Sequence, residues 1–195
     1  HRMALLTKSS LLENVKAKSG YIHESNIRNF AVDELLTAKL AADESTSTYD
    51  IFLSHAYEDA IYIKGLRDKL VESGFSVYVD WIDDPQLDRS HVTKSTAAVL
   101  RTRMKSCKSL LFVTSEDAKN SVWMPWELGY MDCQTQSRVA IVPIVEDENR
   151  AAEFKGQEYL GLYPYFDESV KTFWIHSSTW KWVRFRDWLG GRDPL

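Results

Sequence analysis

The chain has 195 residues, 44% of them apolar and 27% charged, with a formal net charge of -4 and a pI near 5.8. That length and apolar content suit a folded domain with a sizeable core and exclude a disordered chain. The acid excess, with Lys and Arg scattered and no long basic run, argues against nucleic acid or an anionic membrane as the partner. The longest apolar stretches, such as 139–145, are far too short to span a bilayer, and no signal peptide opens the sequence, so a cytoplasmic protein is expected. Cys107 and Cys133 form neither a C-x-x-C pair nor a disulfide framework. His23, His55, His91 and His176 lack the spacing of a zinc site, so no metal is expected.

Residues 9–42 read as two helical segments. In the second, Ile27, Phe30, Ala31, Leu35 and Ala38 recur at helical spacing behind Ser25 as a cap. That stripe must pack either on the domain that follows or on a second copy of the chain. The polar run 43–48 reads as a linker, dividing a helical N-terminal extension (1–48) from a main domain (49–195). From Tyr49 short apolar strands alternate with helices. A strand over 49–54 leads to a helix over 58–73, with Ile63, Leu66 and Leu70 inward and Gly74 as its stop. A second strand over 75–80 ends in a turn-rich segment, 81–90. The next helix turns Ala97, Leu100, Met104 and Cys107 to one buried face.

A third strand over 109–113 has no polar residue after Ser109, as expected of a strand covered on both faces. A fourth strand runs over 139–145, where Pro143 removes a ladder donor and implies a bulge or an unpaired side. Residues 146–169 read as loop with one short helix at 151–154, then a fifth strand at 171–176 and a closing helix at 179–189. Trp180, Trp182 and Trp188 are expected to pack that last helix. Strands and helices in alternation specify an α/β fold, here a flavodoxin-like, five-stranded parallel sheet with helices on both faces. Such sheets bind ligands beyond the carboxyl ends of their strands, where the order reverses. That rule points to Ser54-His55 and Thr114-Ser115.

Between the third and fourth strands, Ser121 caps a helix that tolerates Pro125 only because it falls near the start. Trp123 and Glu127 lie four residues apart, on one face of that helix. Taken alone, the pair describes an amphipathic helix with a buried indole and a solvated carboxylate. Its place beside the strand-order crevice gives it a second meaning, an aromatic surface and an anion at a ligand site.

Three motifs in this order resemble the Toll/interleukin-1 receptor (TIR) domain family, in its bacterial NAD-cleaving form. Tyr49-Asp50-Ile51-Phe52-Leu53-Ser54-His55 resembles the opening strand, 80–90 the mobile loop, and Ser121-Val122-Trp123-Met124-Pro125-Trp126-Glu127-Leu128 the Trp-x-x-x-Glu helix. The resemblance spans residues 49–190. It implies an NAD+ glycohydrolase or ADP-ribosyl cyclase, releasing nicotinamide and giving ADP-ribose or cyclic ADP-ribose, in bacterial anti-phage immunity. Glu127 matches the family's catalytic carboxylate and Trp123 the aromatic of the nicotinamide pocket. NAD+ is then substrate, with no separate cofactor. Self-association through TIR domains and a downstream effector that senses the product follow from the same resemblance. The competing expectation is a non-catalytic protein-interaction module. Receptor and adaptor members carry an Arg-Asp and Pro-Gly pattern in the mobile loop, which Asp83-Asp84-Pro85-Gln86-Leu87-Asp88-Arg89 does not reproduce.

This chemistry needs few residues. Nicotinamide leaves a pyridinium as a neutral molecule, so the second carboxylic acid that an ordinary glycosidase uses to protonate its leaving group is dispensable. Around Glu127, Ser54 and His55 at a strand end can bind ribose or phosphate, or serve as a cap and a structural imidazole. Arg89 offers a guanidinium to a pyrophosphate. Asp80 and Asp88 are expected to organise the loop.

Overall fold

A computed structural model describes residues 5–19, 48–83, 93–115, 121–146 and 158–195. Its elements are β1 (Leu6–Thr7), α1 (Lys8–Ser19), β2 (Tyr49–Ser54), α2 (Ala60–Glu72), β3 (Val77–Tyr78), α3 (Asp80–Asp83), α4 (Lys94–Lys105), β4 (Cys107–Thr114), α5 (Met124–Gln134), β5 (Val139–Val145), β6 (Tyr165–Ser169), β7 (Thr172–Ser178), β8 (Lys181–Arg184) and α6 (Phe185–Leu189). Among the described residues no helix is long and apolar enough to cross a membrane. The second N-terminal helical segment, Arg89 and the short helix expected at 151–154 lie outside the described residues.

The strands form one sheet in the order β3-β2-β4-β5-β6-β7-β8, with β1 beside β5. From β3 to β6 all pairs are parallel, in the flavodoxin-like order expected. Alternation along each strand sorts the side chains to two faces. Ile51, Leu53, Leu111, Val113, Ala140 and Val142 meet Leu11 of α1, Ile63 and Leu66 of α2 and Trp188 of α6 on one face. Phe52, Leu110, Phe112, Val139 and Ile141 meet Leu100 of α4 and Met124, Leu128 and Met131 of α5 on the other. The strands are apolar on both sides because both sides are covered.

The sheet departs from five strands at its far end. Residues 165–169, expected as loop, form β6, and the fifth strand expected at 171–176 is β7, which returns antiparallel to it. The helix expected over 179–189 is mostly β8, paired antiparallel with β7, and only Phe185–Leu189 is helical. Trp188 is accordingly buried at 1% exposure, whereas Trp180 stands 82% exposed at the β7–β8 turn. The second strand is also shorter than expected, because Asp80 begins α3. Cys107, placed by its spacing on the helix, is the first residue of β4. There burial pushes its thiol up to about 12.

Pro143 falls where its missing donor does least harm. The Ile141 amide donates to the Pro164 carbonyl, so position 143, two residues on, faces the same edge of β5. Along that edge β5 pairs with β6 at Ile141, while Pro143 pairs with Thr114 of β4 on the other edge. Position 143 lies beyond the one β5–β6 pair, on the unpaired side that the sequence leads one to expect.

At the amino ends of the strands one carboxylate ties three of them together. Asp50 on β2 accepts from the Ser76 amide ahead of β3 at 3.0 Å and from Lys108 Nζ on β4 at 2.8 Å. Partial burial raises the Asp50 carboxyl, but Lys108 and the Ser76 amide outweigh it and hold it below its ordinary value.

The described N-terminal residues pack on the sheet domain. β1 extends β5 in parallel, Leu6 and Leu11 enter the core, and Asn14 Nδ2 donates to the Gly65 carbonyl at 3.1 Å. On α2, Lys64 is 1% exposed and pairs with Asp68 at 2.7 Å, while Lys18 of α1 reaches Asp68 at 3.3 Å and Glu72 at 2.7 Å. The helices approach so closely at Gly65 that an added Cβ would collide with the Leu11 carbonyl. Gly65→Ala is therefore expected to destabilise the fold by about 1–3 kcal/mol through overpacking, read as a lower urea midpoint. An unchanged midpoint would mean that α1 does not stay docked in solution.

Candidate functional site

Glu127 occupies a position that helix periodicity assigns to the core. With Met124, Leu128 and Met131 it forms the buried stripe of α5, and it is 0% exposed. A carboxylate there needs donors, since an unpaired buried charge costs several kcal/mol. Ser54, the last residue of β2, donates its hydroxyl to Glu127 Oε2 at 2.6 Å. Strand alternation explains the meeting: Ser54 continues the Phe52 side of β2, the face that α5 covers.

The helix opens much as its sequence predicts. Ser121 Oγ accepts from the Met124 amide at 3.3 Å, and Pro125 sits in the first turn, where no helical donor is lost. Trp123 stands just ahead of α5, and its carbonyl accepts from the Glu127 amide at 2.9 Å, so the two side chains are one turn apart. The indole is 4% exposed and belongs to the α4/α5 core face, edge-on to Trp126 at 5.5 Å. Trp126 in turn stacks on Tyr130 and lies under the Arg101 guanidinium.

His55 follows Ser54 and is 3% exposed. Its Nδ1 lies 2.9 Å from the Leu53 carbonyl, which requires a proton on that nitrogen, and Nε2 is 3.7 Å from Asp80 Oδ1 at the start of α3. Asp80 thus joins the rim of the crevice through His55. Ser54, His55, Trp123 and Glu127 all gather at the carboxyl ends of the strands.

Sequence reasoning passed over one further pair. Asp59, just ahead of α2, is 0% exposed and accepts a hydrogen bond from Ser115 Oγ at 2.6 Å. Ser115 directly follows β4, so this second buried carboxylate is held at the same rim. Thr114-Ser115 was expected at the crevice, but Asp59 stands in a polar stretch after β2 whose residue types give no sign that it is buried.

Comparison with known proteins identifies the family. Residues 51–173 match the TIR domain family. The chain is 46% identical over 194 residues to a Bacillus cereus (strain MSX-D12) protein named "Probable 3' cyclic ADP-D-ribose synthase ThsB'", a match covering 96% of this chain and 98% of that one. A protein of Cytobacillus dafuensis, provisionally named cyclic ADP-D-ribose synthase TIR2, is 33% identical over 88 residues, 45% of this chain and 23% of its own length.

Ser54→Ala would leave Glu127 buried without this donor. The expected cost is about 1–3 kcal/mol of stability, measured by urea unfolding. A variant as stable as the unmodified chain would show that Glu127 does not depend on this hydroxyl.

Proposed function

The chain belongs to the TIR domain family, and we propose that it is an NAD+-cleaving enzyme of that family, breaking the nicotinamide–ribose bond to give nicotinamide and cyclic ADP-ribose or ADP-ribose. The observation that carries the reading is the buried Glu127 carboxylate, held by Ser54 one turn from Trp123 at the reversal of strand order. The names of both relatives support the cyclic product. A small nucleotide product suits the anti-phage signalling that the family resemblance implies, with a separate effector sensing it.

As the C1–N bond of the nicotinamide ribose breaks, its electron pair stays on the ring nitrogen and neutralises the pyridinium. Positive charge develops on the ribose instead. Glu127, as an anion, holds the ribose hydroxyls and offsets that charge. Trp123 supplies a flat apolar surface for the nicotinamide ring, an aromatic contact of about 1 kcal/mol beyond area burial. Ser54 serves the reaction by fixing Glu127, His55 borders the ribose side of the crevice, and Arg89 takes the pyrophosphate. A water molecule then adds to the ribose, or an adenosine-ribose hydroxyl of the same substrate closes the ring.

Glu127→Gln keeps the shape of the side chain and removes its charge. Nicotinamide release from NAD+ is expected to fall by about 100–1000-fold, the usual cost of losing preorganised stabilisation. Undiminished turnover would remove Glu127 from the mechanism, and no release by the unmodified protein would favour a non-catalytic interaction module.

With Glu127 at 0% and Trp123 at 4% exposure in the single chain, substrate reaches them only when neighbouring groups move. Self-association of TIR domains supplies the cause of that movement in this proposal. Activity per molecule is therefore expected to rise with protein concentration in a dilution series followed by nicotinamide release. Constant specific activity across the range would show that the single chain is competent.

A further inference from the structure

One helix gathers charge of the sign opposite to the chain's. α4 carries Lys94, Arg101, Arg103 and Lys105 with no acid among its 12 residues, in a chain whose net charge is -4. The rest of the surface is therefore more acidic than the total suggests. Lys94, Ala98, Arg101 and Lys105 follow one another at helical spacing along a single strip of α4, and all four are exposed. Arg101 and Lys105, one turn apart, repel each other where an acid would have stabilised the helix. The strip does nothing for α4 itself.

The strip continues onto α5 as an uncharged surface. Arg101 lies over the Trp126 ring at 5.9 Å, and Trp126 stacks on Tyr130, both rings being half-buried. Beyond this aromatic seam Pro125, Gly129 and Cys133 follow one another down the exposed side of α5, with Val122 65% exposed just ahead of the helix. A glycine inside a helix weakens it and is at home where another backbone comes close. Within the described chain nothing calls for one here, since a Cβ at Gly129 would meet no atom within 4 Å. The other face of the sheet is differently placed, because there α1 already lies against α2 at the Leu11–Gly65 contact.

We infer that the α4/α5 face receives a second copy of this chain, head to tail. The inference rests on the self-association in the reading above and names the surface that carries it. Charge complementarity selects the occupant: the strip is cationic, and the remainder of an identical chain is acidic. The same charges select the geometry. A two-fold contact would set one cationic strip against another and repel, so this face meets a different surface of its neighbour, and the contact can repeat from copy to copy. Trp126, Tyr130 and Gly129 form the apolar centre of the contact, and Lys94, Arg101 and Lys105 its charged rim. α5 turns Glu127 inward and Gly129 outward, so a neighbour bearing on the outer side acts on the helix that holds the buried carboxylate.

The test is sedimentation velocity on the full chain across a dilution series at low and high salt, with nicotinamide release from NAD+ followed in the same samples. The unmodified chain is expected to associate, and to do so more weakly at high salt, which screens the rim. The double variant Arg101→Glu, Lys105→Glu is expected to weaken association by about 10–100-fold, since it sets like charges against each other across the contact. Gly129→Gln separates association from folding. It is expected to raise the urea midpoint, because glutamine is the better helix former, and yet to weaken association by about 10-fold through a clash with the neighbour. Added to the unmodified chain, the double variant still offers its acidic surface, so it is expected to cap the assemblies and lower their mean size. An unmodified chain that stays monomeric throughout, or variants that associate as it does, overturns this inference and leaves the NAD-cleaving reading to the nicotinamide measurement. Association that the variants abolish, with no nicotinamide released by the unmodified chain, overturns that reading and keeps the surface.

Discussion

The hydrogen bond from Ser54 to Glu127 fixes what the rest of the molecule must be. A carboxylate at 0% exposure on the apolar stripe of α5 needs donors, and the observed register of β2 brings one to it from the sheet. A slip of one residue would send Ser54 to the α2 face and present His55 to α5. The register is secured at the other end of the strand, where Asp50 binds Ser76 and Lys108, and along its length by the ladder that sets Ser54 opposite Phe112. The two ends of the sheet thus divide the labour. The amino end holds its carboxylate with a cation and an amide at the surface, whereas the carboxyl end buries two carboxylates with hydroxyl donors.

The parts that were legible in the sequence are those where one physical signal dominated. β2 and β5 match the expected spans because their runs are bounded by polar residues and need no long-range information. Helix periodicity gave α2 its core, with Ile63, Leu66 and Leu70 all fully buried. Register then brought Ser54 to Glu127, since each was already expected at a strand end and a helix start. Arg89 lies outside the described residues, and the catalytic parts assigned to the others rest on the proposed chemistry.

The meander β6-β7-β8 was hidden for three reasons. Its turn is made by Val170 and Lys171 with φ of 50° and 56°, a left-handed conformation that turn rules assign to Gly, Asn or Asp. Neither residue announces a hairpin. Inside β6, Asp167 breaks the apolar alternation at a buried position, and only the folded sheet shows its partner, His176 at 3.1 Å on β7. Lys181-Trp182-Val183-Arg184 alternates as a strand should, but four residues are too short a window to outweigh the spaced Trp and Arg residues around them. Asp59 was missed on the same ground, because the partner that explains its burial is 56 residues away.

The use of serine to hold both carboxylates bears on the chemistry. A neutral hydroxyl donates a hydrogen bond without bringing an opposing charge, so the negative charge it steadies remains available to a cation that forms during reaction. Two unit charges 4 Å apart interact by about 4 kcal/mol at an effective dielectric constant near 20. That is comparable to the whole stabilisation ascribed to such a group, and a lysine ammonium at the place of the Ser54 hydroxyl would offset much of it before substrate arrived. Lys64 and Asp68 at the α1–α2 contact follow the opposite rule, pairing a cation and an anion in burial where no charge has to develop.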